Sequence, residues 1–104
     1  MIDMAEDSRK KVERALLVGI RTPDETAAEV EEHLDELADL VRNLDIVPLE
    51  PAVVNLHSPM PQYCVGTGKA REIAQLLQEC EADCLIFDNP LTPSQQRNWE
   101  RLTH

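Results

Sequence analysis

The sequence predicts a small α/β fold, a three-layer sandwich in which a mostly parallel sheet of three to four strands is flanked by three helices. Three observations predict it. Short apolar runs alternate with longer segments whose apolar residues recur at three- and four-residue steps, an order that builds parallel sheets with right-handed crossovers. The run Ala15–Ile20 (ALLVGI) holds no polar side chain, as a strand covered on both faces requires. Thr22-Pro23 and Thr92-Pro93 each stand before a helical pattern, where a capping hydroxyl and a first-turn proline belong.

In chain order, residues 1–11 are polar and charged and read as a flexible N-terminal segment, with 12–104 as the α/β domain. The first strand is the Ala15–Ile20 run. Thr22 fits the N-cap of the first helix, Pro23 its first position and Glu25 the partner in a capping box. Behind them Ala27, Val30, Leu34, Leu37, Val41 and Leu44 define one buried face. Glu29, Glu31, Glu32, Asp35, Glu36 and Asp39 lie on the other, a solvated acidic surface. Asp45–Leu56 is extended, but Pro48 and Pro51 cannot donate to a ladder, so it reads as an edge strand. His57–Pro61 is a loop, and Gln62–Val65 reads as a short further strand. The second helix covers Lys69–Cys80 and buries Ile73, Ala74, Leu76, Leu77 and Cys80. Cys84–Phe87 is a buried strand ended by Asp88-Asn89-Pro90. The third helix takes Thr92 as N-cap, Pro93 as first residue and Gln95 as box partner, and runs to Leu102. No strand follows it, so its crossover is incomplete: either the helix packs as a terminal lid, or the domain stops before its last strand, which is the expectation taken.

At 104 residues the chain is one domain with one modest core. Tyr63, Phe87 and Trp99 are its only aromatics, so that core is aliphatic. The net charge of −10 repels nucleic acid and anionic membrane unless the few cations cluster. No apolar run approaches a membrane span, and the N-terminus lacks a signal peptide's apolar stretch. Cys64, Cys80 and Cys84 are odd in number and form no disulfide framework. The expected setting is the cytoplasm, with reduced thiols.

Val65–Lys69 (VGTGK) invites comparison with a phosphate loop and fails it. A Walker A loop needs four residues between its first glycine and the closing Gly-Lys, then Ser or Thr. Here one residue separates Gly66 from Gly68, and Ala70 follows Lys69. The long backbone nest and the Mg²⁺-ligating hydroxyl are both missing, which excludes nucleotide hydrolysis by this loop.

Four blocks in order, Arg14–Ile20 (RALLVGI), Tyr63–Lys69 (YCVGTGK), Ala82–Asp88 (ADCLIFD) and Leu91–Glu100 (LTPSQQRNWE), resemble the N-terminal domain of HflX-type GTPases. Ser94–Asn98 (SQQRN) is the most specific element. The resemblance spans roughly Glu13 to Leu102. It implies a non-catalytic module that assists docking to the large ribosomal subunit or control of a separate G domain. GTP and Mg²⁺ would belong to that G domain, with no cofactor held by these residues. The implied partners are the large subunit and its rRNA, and the protein's own helical hairpin and G domain, with no membrane. An ATP or GTP site outside the G domain stays open, and so does a homodimer formed through a sheet edge.

The candidate phosphate, RNA or nucleotide site is Gly66, Thr67, Gly68 and Lys69, where backbone N–H groups open a helix beside a lysine. The bland alternative is a tight strand-to-helix turn needing glycine's positive φ. Asp88 and Asn89 join the candidates because open α/β sheets bind ligands at the carboxyl ends of strands, against plain turn chemistry before Pro90. Gln96, Arg97 and Asn98 are candidates for a contact surface with RNA or another domain, or an exposed helix face. Cys80 and Cys84 are spaced like part of a metal site, but Cys84 starts a buried strand, and His57 and Cys64 are too scattered to complete four ligands. No Ser/His/Asp, Cys/His or paired-carboxylate set assembles for catalysis. Trp99 reads as packing, with no second aromatic to make a base-stacking platform.

Overall fold

The computed structural model describes residues 13–58 and 60–103, so the expected flexible segment 1–11 lies outside the described residues. Strand β1 (Arg14–Arg21) is the centre of the sheet. Ala15, Leu16, Leu17 and Val18 are almost without solvent contact, as the apolar run predicts. On one side β1 pairs in parallel with β2 (Val47–Pro48) at Arg14–Ala15 and with β3 (Ala52–Asn55) at Val18–Arg21. On the other it pairs in parallel with β4 (Cys84–Phe87). Strands β2 and β3 are the two halves of the expected edge strand, interrupted at Leu49–Pro51. Backbone N–H groups of Val47 and Leu49 donate to Glu13 and Ala15, so the prolines cost the ladder only positions it can spare.

Side chains of β1 alternate between two cores. Ala15 and Leu17 face helix α1 (Ala27–Asn43), meeting Val30, Leu34, Val41 and Ile46. Leu16, Val18 and Ile20 face α2 (Thr67–Glu79) and α3 (Pro93–Thr103), meeting Ala70, Ile73 and Trp99. The result is α1 on one face, the sheet, and α2 with α3 on the other. Strand β4 is only half-buried along its length, and no strand pairs with its far edge among the described residues.

Four local expectations need correction. Helix α1 begins at Ala27 with Thr26 as N-cap, not at Thr22. The segment TPDETAAE holds two successive Thr-x-x-Glu frames. The Thr26–Glu29 frame closes a capping box at 3.1 and 2.9 Å, while Thr22 and Glu25 close a separate turn through longer bonds of 3.3 and 3.4 Å. Of the expected buried face, Ala27 is exposed at one end and Leu44 is 65% exposed at the other, where Ile46 takes the buried place instead. Asp45 at φ 62° turns the chain there. Its N–H donates to the Arg42 carbonyl and the Ile46 N–H to that of Val41, a Schellman ending that folds Ile46 back onto Val41. Helix α2 starts two residues before the expected Lys69 and ends the same way around Glu81 at φ 55°. Finally, Gln62–Val65 is no strand: 61–63 is a turn, and Met60 and Cys64 form an isolated antiparallel bridge.

Candidate functional site

The turn into α2 differs from a glycine-driven one. Gly66 is the N-cap at φ −64°, ψ 154°, ordinary extended backbone, and no described glycine has a positive φ. The left-handed residue of this turn is Cys64, at φ 70°. A Cβ placed on Gly66 or Gly68 would meet nothing within 4 Å. Neither backbone strain nor packing among the described residues therefore calls for glycine at 66 or 68. The helix begins at once, with the Ala70 N–H donating to the Gly66 carbonyl at 2.8 Å, so no loop wraps a phosphate. Gly66 brings no side chain to cap the first turn, and Thr67, Gly68 and Lys69 are exposed. Lys69 Nζ lies 3.2 Å from the Glu72 carboxylate, with both side chains largely exposed, a surface pair of little energetic weight.

Helix α3 explains much of the SQQRN block. The Thr92–Gln95 capping box forms as expected, at 2.9 and 3.1 Å. Gln95 is buried, and its Nε2 donates to the Met60 carbonyl at 3.1 Å. Asn98 Nδ2 donates to the Gln62 carbonyl at 3.0 Å and Trp99 Nε1 to that of Tyr63 at 2.8 Å. Asn98 is thus a structural clasp as well as a half-exposed side chain, while Gln96 and Arg97 remain exposed. Trp99 packs, as expected, but not alone. Its ring centroid lies 5.4 Å from Tyr63 in an edge-on contact and 5.1 Å from Phe87. The chain's three aromatics converge behind the 60–64 loop. Cys64 is buried in the same cluster, and burial pushes its thiol up from the ordinary cysteine value, which disfavours the nucleophilic thiolate. Burial, then the nearby Asp83 carboxylate, raises the Cys84 thiol likewise. Among the described residues no group of three or more His, Cys, Asp or Glu side chains is placed to hold a metal ion.

Asp88 and Asn89 lie at the carboxyl end of β4, as the sequence places them. The Asp88 N–H donates to the Val18 carbonyl, extending the ladder, and Asn89 Oδ1 accepts from the Ile20 N–H at 3.3 Å. The chain leaves β1 toward β3 and later returns past it to β4, so the switch point of this doubly wound order falls between β1 and β4. Asn89 reaches across it. In the chain the Gly66 turn lies between β3 and α2, whereas Asp88 and Asn89 follow β4. A shallow cleft of about 330 Å³ that the sequence did not reveal opens between the ends of β1 and β3, lined by Arg21, Thr22, Glu25, Asn55 and His57 among others. Two of its charged residues bond to its own wall: Arg21 Nε donates to the Glu25 carbonyl, and the Glu25 carboxylate accepts from Thr22. No described helix is long and apolar enough to cross a membrane.

Comparison with known proteins brings this architecture into a family. The profile of the family described as GTP-binding GTPase N-terminal matches residues 31–104. A GTPase HflX of Akkermansia muciniphila is 47% identical over 91 residues, covering 88% of this chain and 21% of that protein. The Escherichia coli K12 GTPase HflX is 39% identical over 71 residues, covering 68% and 17%. That of Spirochaeta thermophila is 33% identical over 96 residues, covering 92% and 22%. The chain spans about a fifth of the length of these relatives.

Proposed function

The chain belongs to the HflX GTPase family, in its GTP-binding GTPase N-terminal domain, and from that premise we propose that it is a non-catalytic module serving such a GTPase through its surface. Its task is to help seat the protein on the large ribosomal subunit or to set the state of a G domain elsewhere in the polypeptide. The observation that carries this reading is the division of labour on α3. Gln95, Asn98 and Trp99 are spent inward on the 60–63 carbonyls, whereas the side chains of the adjacent Gln96 and Arg97 are exposed and make no hydrogen bond to another described residue. An arginine beside a polar amide suits a phosphate or carboxylate on a partner. The net charge of −10 sets the scale of the contact. So acidic a module adds little affinity for RNA by itself, and most of the binding energy comes from other parts of the full-length protein. Arg97→Glu in a full-length protein carrying this module tests the reading. Ribosome association or ribosome-stimulated GTP hydrolysis falls several-fold while fold and basal hydrolysis are kept; if both stay at wild-type level, α3 is not the contact face.

A second reading has its own support. Gly66 and Gly68 leave the space over the α2 N-terminus open, and that end carries no side-chain cap, as a nucleotide phosphate requires. Calorimetric titration with ATP and GTP decides it. Binding that weakens in Lys69→Ala supports a nucleotide-sensing turn, and no heat at high micromolar nucleotide removes it.

A further inference from the structure

The 60–66 loop is not held by its own sequence. Its internal bonds are one reciprocal pair, Met60 N–H to Cys64 carbonyl at 3.1 Å and Cys64 N–H to Met60 carbonyl at 3.0 Å. They close around Cys64 in the left-handed region, which a non-glycine residue occupies only when its surroundings over-determine it. Those surroundings are the core residues packed with Cys64, from β1, β3, α2 and α3, and the side-chain hydrogen bonds that α3 adds to the loop. Residues 95, 98 and 99 are spaced i, i+3, i+4 and so lie on one helix face, and their side chains take the carbonyls of Met60, Gln62 and Tyr63 in sequence order. Immediately after this clasp come Val65, 1% exposed, and Gly66, the N-cap of α2. The opposite side of α3 presents Gln96, Arg97, Glu100 and Arg101 to solvent.

We infer that α3 and the 60–66 loop form a mechanical couple: α3 imposes the loop conformation and, through Val65, the presentation of the first turn of α2. A partner that binds the outward face of α3 and shifts the helix thereby alters the Gly66–Lys69 turn, and whatever occupies that turn alters α3 in return. The couple is a property of this chain's own contacts and stands whether or not the docking reading holds.

Isosteric variants separate the clasp from the rest of the helix. Gln95→Glu keeps the oxygen that accepts from the Thr92 N–H and removes the donor to Met60; Asn98→Asp removes the donor to Gln62. The test is native-state amide exchange by NMR on the 104-residue chain. In the double variant the Met60 and Cys64 amides exchange faster by about five-fold for each hydrogen bond lost, the Thr67–Lys69 resonances shift, and α1 and β1 amides stay within about two-fold of wild type. Unchanged exchange at Met60 and Cys64 overturns the inference, and so does equal acceleration in α1, which would make the bonds general stabilisers. Asn98→Asp alone, at a half-exposed position, gives the same reading at smaller amplitude if the double variant fails to fold.

Discussion

Replacing Gly19 with alanine puts a Cβ where the structure has no room for one. The new carbon would sit 2.8 Å from Leu34 Cδ1, 3.1 Å from Cγ and 3.2 Å from Cδ2, against an optimum of about 3.5–4.0 Å for carbon pairs. All three outer carbons of Leu34 crowd the site, so rotating the side chain exchanges one clash for another. Leu34 is 3% exposed, beside Val30 and Val41, and α1 must therefore lift from β1. Overpacking of this kind costs about 1–3 kcal/mol, and alanine recovers about 0.5–1 kcal/mol of glycine's backbone entropy in a strand. At the midpoints of these ranges the net expectation is a loss of about 1 kcal/mol, read as a lower urea midpoint with an unchanged slope. The cause is tested in a double-mutant cycle. Leu34→Ala alone costs about 2–5 kcal/mol, but in that background Gly19→Ala becomes neutral or stabilising, because the carbons it struck are gone. Equal destabilisation by Gly19→Ala in both backgrounds would refute the argument, and no effect in the wild-type background would refute it equally.

Other consequences follow from the helix ends. Glu81→Gly is expected to stabilise the chain by about 0.5–1 kcal/mol, since Glu81 holds φ 55° in the Schellman ending of α2, a place where glycine avoids the Cβ penalty; a lower thermal midpoint for the variant would refute this. The Glu29 carboxyl is held below the ordinary glutamate value, first by the Thr26 backbone N–H and then by its hydroxyl. A depressed folded value means that its contribution is complete above the ordinary glutamate value and is lost as the pH falls through the folded value. The Thr26 amide resonance should therefore titrate in that acid window in wild type and lose the titration in Glu29→Gln. Thr26→Ala is expected to cost about 1 kcal/mol and Thr22→Ala clearly less; the reverse order would restore the earlier helix start.

What the sequence revealed was local. The ALLVGI run showed the central strand because burial on both faces leaves no polar residue in it. The Thr92–Gln95 box was readable because its partners stand three residues apart, and the prolines at 48 and 51 marked the edge. The same rule failed at α1, where two Thr-x-x-Glu frames competed and hydrogen-bond geometry chose the second. Long-range facts stayed hidden. Nothing near Tyr63 or Phe87 announces that both pack on Trp99, and nothing near Gln62 shows that its carbonyl belongs to Asn98. That hidden clasp also explains why Gln62–Val65, extended in pattern, forms no strand. The glycine turn was legible as a helix entrance but not in mechanism, since the positive φ falls on Cys64 and leaves Gly66 and Gly68 without an internal cause. Family membership was carried by four short blocks in order, more specific together than the Gly-x-Gly-Lys turn alone.

The central proposal, a module that assists an HflX-type GTPase on the ribosome without carrying the main affinity, is tested most directly by co-sedimentation of large ribosomal subunits across a salt series. The comparison is this chain alone, the full-length protein, and the full-length protein lacking the module. The account predicts that the chain alone pellets weakly and is released at roughly physiological salt. It predicts that the full-length protein stays bound, and that removing the module weakens that binding several-fold. Tight, salt-resistant pelleting by the chain alone, or no change when it is removed, would contradict it.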